Sequence, residues 1–149
     1  MYPDQHGHFG SNQRGPMTTH RAACNCGRLE VLCEGEPRRI SLCHCFECQR
    51  RTGSVFGVQA WFLRQEVAVT GDTREFARVS DRGNLVTFRF CPVCGSTVCW
   101  EAAAFPGLIA VAVGSFADSA FPAPNVAVWE RRRHEWVDAF ADLPMEHVN

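Results

Sequence analysis

Apolar and polar residues alternate in short runs along most of the chain, most clearly where Val86, Phe88 and Phe90 interleave with Thr87 and Arg89. A period of two puts alternate side chains on opposite faces, so this run predicts a half-buried β-strand. β-Branched and aromatic residues recur in the same manner elsewhere, with turn residues between the runs. The pattern predicts strands at Arg28 to Cys33, Arg39 to Leu42, Val55 to Phe62, Glu66 to Thr70, Arg74 to Val79, Leu85 to Phe90, Thr97 to Trp100, Leu108 to Val113 and Val126 to Trp129. Short helical turns are expected at Phe46 to Arg51 and at Trp136 to Leu143, the latter ended by Pro144. Residues 1–20 show neither period and read as a disordered leader, within which Met17 offers a second start. The rest, 21–149, is expected to form one mainly β domain.

Composition narrows the class. At 149 residues, with 46% hydrophobic and 21% charged residues, the chain suits a single globular domain. A formal charge of -1 supplies no basic field for nucleic acid, so none is expected as a partner. No apolar run reaches the length of a membrane span and the first 23 residues lack an apolar signal core, so no membrane partner and a cytoplasmic location are expected.

The chemistry resides in nine cysteines, an odd number that cannot all pair. Most fall in three clusters: Cys24-Asn25-Cys26-Gly27, Cys43-His44-Cys45-Phe46-Glu47-Cys48 and Cys91-Pro92-Val93-Cys94-Gly95. In a reducing compartment such clusters are metal ligands more often than disulfides. The last has the form of a zinc knuckle, in which Pro shapes the turn and Gly lets the chain fold back. Structural zinc takes four ligands, and Cys24 with Cys26 supplies a natural second pair for Cys91 and Cys94. Cys43, Cys45 and Cys48 then remain as three thiolates, the count of a catalytic zinc with one position open. Two other readings stay open: a second structural site closed by His44, Cys33 or Cys99, and an iron–sulfur cluster, whose usual spacings these runs do not match. Cys33 and Cys99 sit inside strand patterns and are assigned to the core. His44 lies between two ligands on the opposite side of an extended segment, which suits support of the site rather than coordination.

The three clusters, with the Gln49-Arg50-Arg51-Thr52-Gly53-Ser54 run after the second, resemble the glutathione-dependent formaldehyde-activating enzyme family, which also contains centromere protein V. The resemblance extends from about Ala23 to Leu143 and takes in Val113-Gly114-Ser115-Phe116, Trp129 and His134-Glu135-Trp136. It implies a zinc-bound β-tent fold, a structural zinc on Cys24, Cys26, Cys91 and Cys94, and a catalytic zinc on Cys43, Cys45 and Cys48. It also implies a carbon–sulfur lyase that condenses glutathione with formaldehyde to S-hydroxymethylglutathione, so the partners are a small thiol and a small aldehyde. Two departures bear on substrate choice: Ala22-Ala23 stand where glycines often precede the first cysteine, and Asn125-Val126-Ala127 lack a histidine frequent before the late tryptophan.

Glutathione has two carboxylates, which makes Arg50 and Arg51, close behind Cys48, candidates for substrate binding. The run Arg131-Arg132-Arg133 reads as a solvated face. Trp61, Trp100, Trp129 and Trp136 are assigned to the core. The rival to the lyase is a non-catalytic binding module in which both metals only hold the fold.

Overall fold

The computed structural model describes residues 17–140 and 144–148. Eleven strands and one short α-helix follow in chain order: β1 (Thr19–Ala23), β2 (Glu30–Glu34), β3 (Arg39–Cys43), α1 (Phe46–Thr52), β4 (Gly57–Leu63), β5 (Val67–Thr70), β6 (Arg74–Val79), β7 (Leu85–Phe90), β8 (Thr97–Ala102), β9 (Leu108–Ala112), β10 (Val126–Val128) and β11 (Glu146–Val148). The expected strands all form, with ends shifted by a residue or two. Two were not foreseen. β1 starts at Thr19, inside the stretch read as leader, and β11 adds three residues near the end of the chain. The helical turn predicted from Trp136 is a 3₁₀ segment over Glu135–Phe140, and residues 141–143 of that prediction lie outside the described residues. The same holds for residues 1–16 of the expected leader. Among the described residues, no helix is long and apolar enough to cross a membrane.

β1, β2 and β5 form a small sheet, and the other strands form a larger one in the order β11-β10-β3-β4-β9-β8-β7-β6. Most pairs are antiparallel, but β10 runs parallel to both β3 and β11. Asn125 sets that parallel pair in place: its side-chain Oδ1 accepts from the Ile40 N–H at 3.0 Å, and its own N–H donates to the Ile40 carbonyl at 2.9 Å.

Register gives the two faces of the large sheet different work. Ile40 pairs with Ala60, Ala60 with Val111 and Phe62 with Ile109, so these side chains share one face. That face packs on Ala22, Val31, Cys33 and Val67 of the small sheet to make the main core. Phe62 is fully buried there, a burial that contributes about 2 to 3 kcal/mol. The residues between them point the other way: Arg39 pairs with Trp61, Ser41 with Gln59 and Cys43 with Gly57. The same face continues through Ala110, Trp100 and Phe88. It packs a smaller cluster of Trp61, Val86, Trp100 and Ala110 and stays open above β3.

Candidate metal centre and the cavity above it

The first cysteine group is built from two turns. Cys24 and Cys26 follow β1, Cys91 and Cys94 join β7 to β8, and their four sulfurs lie within 4.8 Å of one another. Gly27 and Gly95 turn the chain at φ +79° and +77°, conformations that a side chain resists. Backbone amides then point at the sulfurs: Leu29 N–H donates to Cys24 Sγ at 3.2 Å and Val93 N–H to Cys91 Sγ at 3.4 Å. Ser96 ties the turns together, its Oγ accepting from the Asn25 N–H at 3.1 Å. Its hydrogen bond to Cys94 holds that thiol down at about 5, so an anionic sulfur is already favoured.

The second group lies on the open face of the large sheet. Cys43 ends β3, Cys45 caps α1 with its sulfur accepting the Cys48 N–H at 3.3 Å, and Cys48 sits one turn on. The three sulfurs again lie within 4.8 Å of one another. Cys43 and Cys45 are buried and Cys48 is half-buried. Hydrogen bonds from Cys43 and Cys48 pull Cys45 down to about 2, and the same contacts drive Cys43 far up. Cys48 is lowered by Cys43 but raised more by Cys45 and desolvation, and ends at about 11. One negative charge is therefore all that the bare triad holds comfortably. A cation between the sulfurs removes that limit, and a set of soft thiolates fits a soft or borderline metal ion.

Among the described residues, neither His44 nor Cys33 nor Cys99 joins either group. Cys33 and Cys99 are core residues without surface exposure. His44 is buried behind the triad; its N–H donates to the Val128 carbonyl at 3.0 Å, and burial lowers its pKa.

A cavity of about 250 Å³ opens over the triad, with Cys43, Cys45 and Cys48 in its wall. Trp61, Trp100 and Trp129 line it too, which corrects the assignment of these rings to the core alone. Trp61 and Trp100 are buried against the sheet yet present a face to the cavity, while Trp136 is 72% exposed and belongs to no core. Ser41 Oγ fixes the polar part of the wall by accepting from Gln59 Nε2 and Trp61 Nε1, both at 3.2 Å. Gln59 Oε1 and Arg39 Nε are buried there without a hydrogen-bond partner.

Arg50 and Arg51 line a neighbouring depression of about 400 Å³, not this cavity. Arg50 pairs with Glu47 at 2.6 Å. Arg51 lies flat over Trp100, its guanidinium carbon 4.2 Å from the ring centroid, with Nε and Nη2 buried and unpaired. The cavity takes its cations from Arg39, Arg78 and Arg82 instead. Arg39 was discoverable, since Arg39, Ser41 and Cys43 share the alternation of one strand; Arg78 and Arg82 reach the site only through sheet order. In the Arg131–Arg133 run, Arg132 bonds Asp81 at 2.6 Å and stacks on Trp129 and Phe46. It braces the β6–β7 turn against the loop after β10.

The family model for the glutathione-dependent formaldehyde-activating enzyme matches residues 19–132, which hold both cysteine groups and every strand that carries them. The chain belongs to that family. A solved structure of a Rhodobacter sphaeroides protein is also similar, at 17% identity and a TM-score of 0.52, covering 87% of this chain and 99% of that one. At that identity the likeness is one of fold. No protein of curated function matches the chain. Membership of the formaldehyde-activating family accords with the mainly β architecture and with two thiol groups able to hold metal ions.

Proposed function

We propose that the chain binds two zinc ions, a structural one at Cys24, Cys26, Cys91 and Cys94 and a catalytic one at Cys43, Cys45 and Cys48. At the second site it adds a thiol, glutathione or one like it, to formaldehyde or another small aldehyde. The sulfur bonds to the carbonyl carbon, the C=O π pair moves to oxygen, and the thiol proton ends on that oxygen. The product is an S-hydroxymethyl adduct, and the reverse reaction is that of a carbon–sulfur lyase.

The observation that carries this reading is the juxtaposition of three thiols with a cavity, where a closed site would present four ligands. A zinc ion held there supplies positive charge that stabilises a substrate thiolate or polarises a carbonyl. The chain's own residues do the rest. Trp61 and Trp100 exclude water from the reacting groups, which strengthens each electrostatic contact inside. Gln59 Oε1, buried and unpaired, accepts a hydrogen bond from the hydroxyl group of the adduct. The Cys48 N–H keeps Cys45 Sγ aimed at the metal. All nine thiols are free, which suits a reducing compartment such as the cytoplasm.

Exchange NMR on zinc-replete protein with glutathione and formaldehyde tests the reaction. Free and hydroxymethylated glutathione should interconvert faster than in a protein-free control, and Cys45→Ser should abolish the gain. Two bound zincs without acceleration would refute the glutathione reaction and leave either another thiol or a zinc-stabilised binding module.

A further inference from the structure

The geometry points to a ligand for the cavity that is a small carboxylate with an aromatic or other apolar body and no ammonium group. This rests on the proposed function only for the statement that the ligand is a thiol or an aldehyde.

Charge is the first argument. Three arginines line the cavity and no Asp or Glu does. Arg78 has a partner in Glu47 at 4.0 Å, outside the cavity wall, but among the described residues no carboxylate pairs with Arg39 or Arg82, whereas Arg38, Arg50, Arg64, Arg89 and Arg132 all have acidic partners. Arg39 Nε is buried without a hydrogen-bond partner, a state that costs free energy until an acceptor arrives. A carboxylate answers that deficit with charge-assisted hydrogen bonds. An ammonium group entering the same space meets the like charges of Arg39 and Arg82 and no carboxylate in the wall.

The walls are the second argument. Both unpaired arginines are held on aromatic faces: Arg39 lies 5.5 Å from the Phe105 centroid and Arg82 5.1 Å from that of Trp129. Trp61, Trp100, Phe88 and Val86 add apolar wall to the cavity that these cations and the triad share. A ligand with its carboxylate toward the arginines thus lays its body on rings and its reacting end near the cysteines. Glutathione matches the carboxylate requirement, but its ammonium finds no acidic partner in the wall and must stay in solvent, so a thiol without an ammonium group should bind more tightly.

Binding of two probes that carry no thiol and no aldehyde separates this from turnover. Calorimetric titration of zinc-replete protein should give 3-phenylpropionate an affinity at least roughly tenfold above that of 3-phenylpropylammonium, which has the same body and the opposite charge. Arg82→Gln, at an exposed turn, should weaken the carboxylate several-fold, and Arg39→Gln should do so more strongly while Arg39→Lys restores part of the loss. Arg50→Gln, outside the cavity, should change nothing. Equal binding of the two probes, or a carboxylate preference that survives both Arg39→Gln and Arg82→Gln in folded protein, would overturn the proposal. Glutathione turnover combined with equal probe binding keeps the proposed reaction and removes this selectivity; carboxylate preference without turnover does the reverse.

Discussion

The two cysteine groups use the same parts to opposite ends. Each gathers thiols within 4.8 Å beside the end of a strand, and each receives a backbone N–H on sulfur. The first joins the chain at Cys24 and Cys26 to the chain at Cys91 and Cys94, so a metal there closes a long loop and ties the small sheet to the large one. The second is local, contained between the end of β3 and the first turn of α1. Little of the fold depends on holding those residues together, and the third sulfur faces a cavity rather than another strand. On the proposed reading, sequence separation between ligands distinguishes a staple from a reaction site.

The sharpest way to break this contrast is to remove a ligand from each group. Cys94→Ser should abolish cooperative melting by circular dichroism, since metal-linked folding energy on the order of 10 kcal/mol is at stake. Cys45→Ser should cost under about 2 kcal/mol, because serine still caps α1, while bound zinc falls by one equivalent and activity is lost. If the two variants lose equal stability, the contrast fails. Metal removal gives the next effect: a chelator titration followed by metal analysis should empty the triad before the four-cysteine group, and the reverse order would contradict the assignment of roles. Gly57→Ala should act on one group alone. An added Cβ would lie 2.7 Å from Arg51 Nη2 and 3.3 Å from Cys48 Cβ, so overpacking of about 1 to 2 kcal/mol and weaker zinc retention at the triad are expected from melting and metal analysis. Trp136→Ala, at a ring 72% exposed, should change stability by less than about 0.5 kcal/mol.

How legible each region was follows from the same distinction. Alternation along Leu85–Phe90 is visible in residue type, with apolar Val86, Phe88 and Phe90 between polar Thr87 and Arg89, although Val86 alone is buried and the four residues after it are all half-buried. β1 was hidden because of its five residues only Ala22 is buried, and a single buried position has no period. β11 is three residues held by a parallel partner, too short for any pattern. Cysteine spacing revealed the two groups able to hold a metal ion because ligand geometry constrains neighbours in sequence. The arginines of the cavity obey no such rule: Arg39 and Arg78 line one cavity from strands with four others between them in the large sheet, an order fixed by packing. Trp61 and Trp100 were half understood, buried as expected yet with a face left uncovered, and Trp129 is only half-buried.

Along β3 and β4, residues that stabilise and residues that select lie at adjacent positions. Ile40, Ala60 and Phe62 face the core, while Arg39, Ser41, Gln59 and Trp61 face the cavity. Point substitutions can therefore rewrite ligand preference without passing through the interior, and a lineage is free to explore new substrates at nearly constant stability. An inserted or deleted residue in either strand has no such freedom: it would exchange the two sets at once and forfeit both. Divergence in this fold should accordingly proceed by replacement on alternate positions, with strand length held fixed.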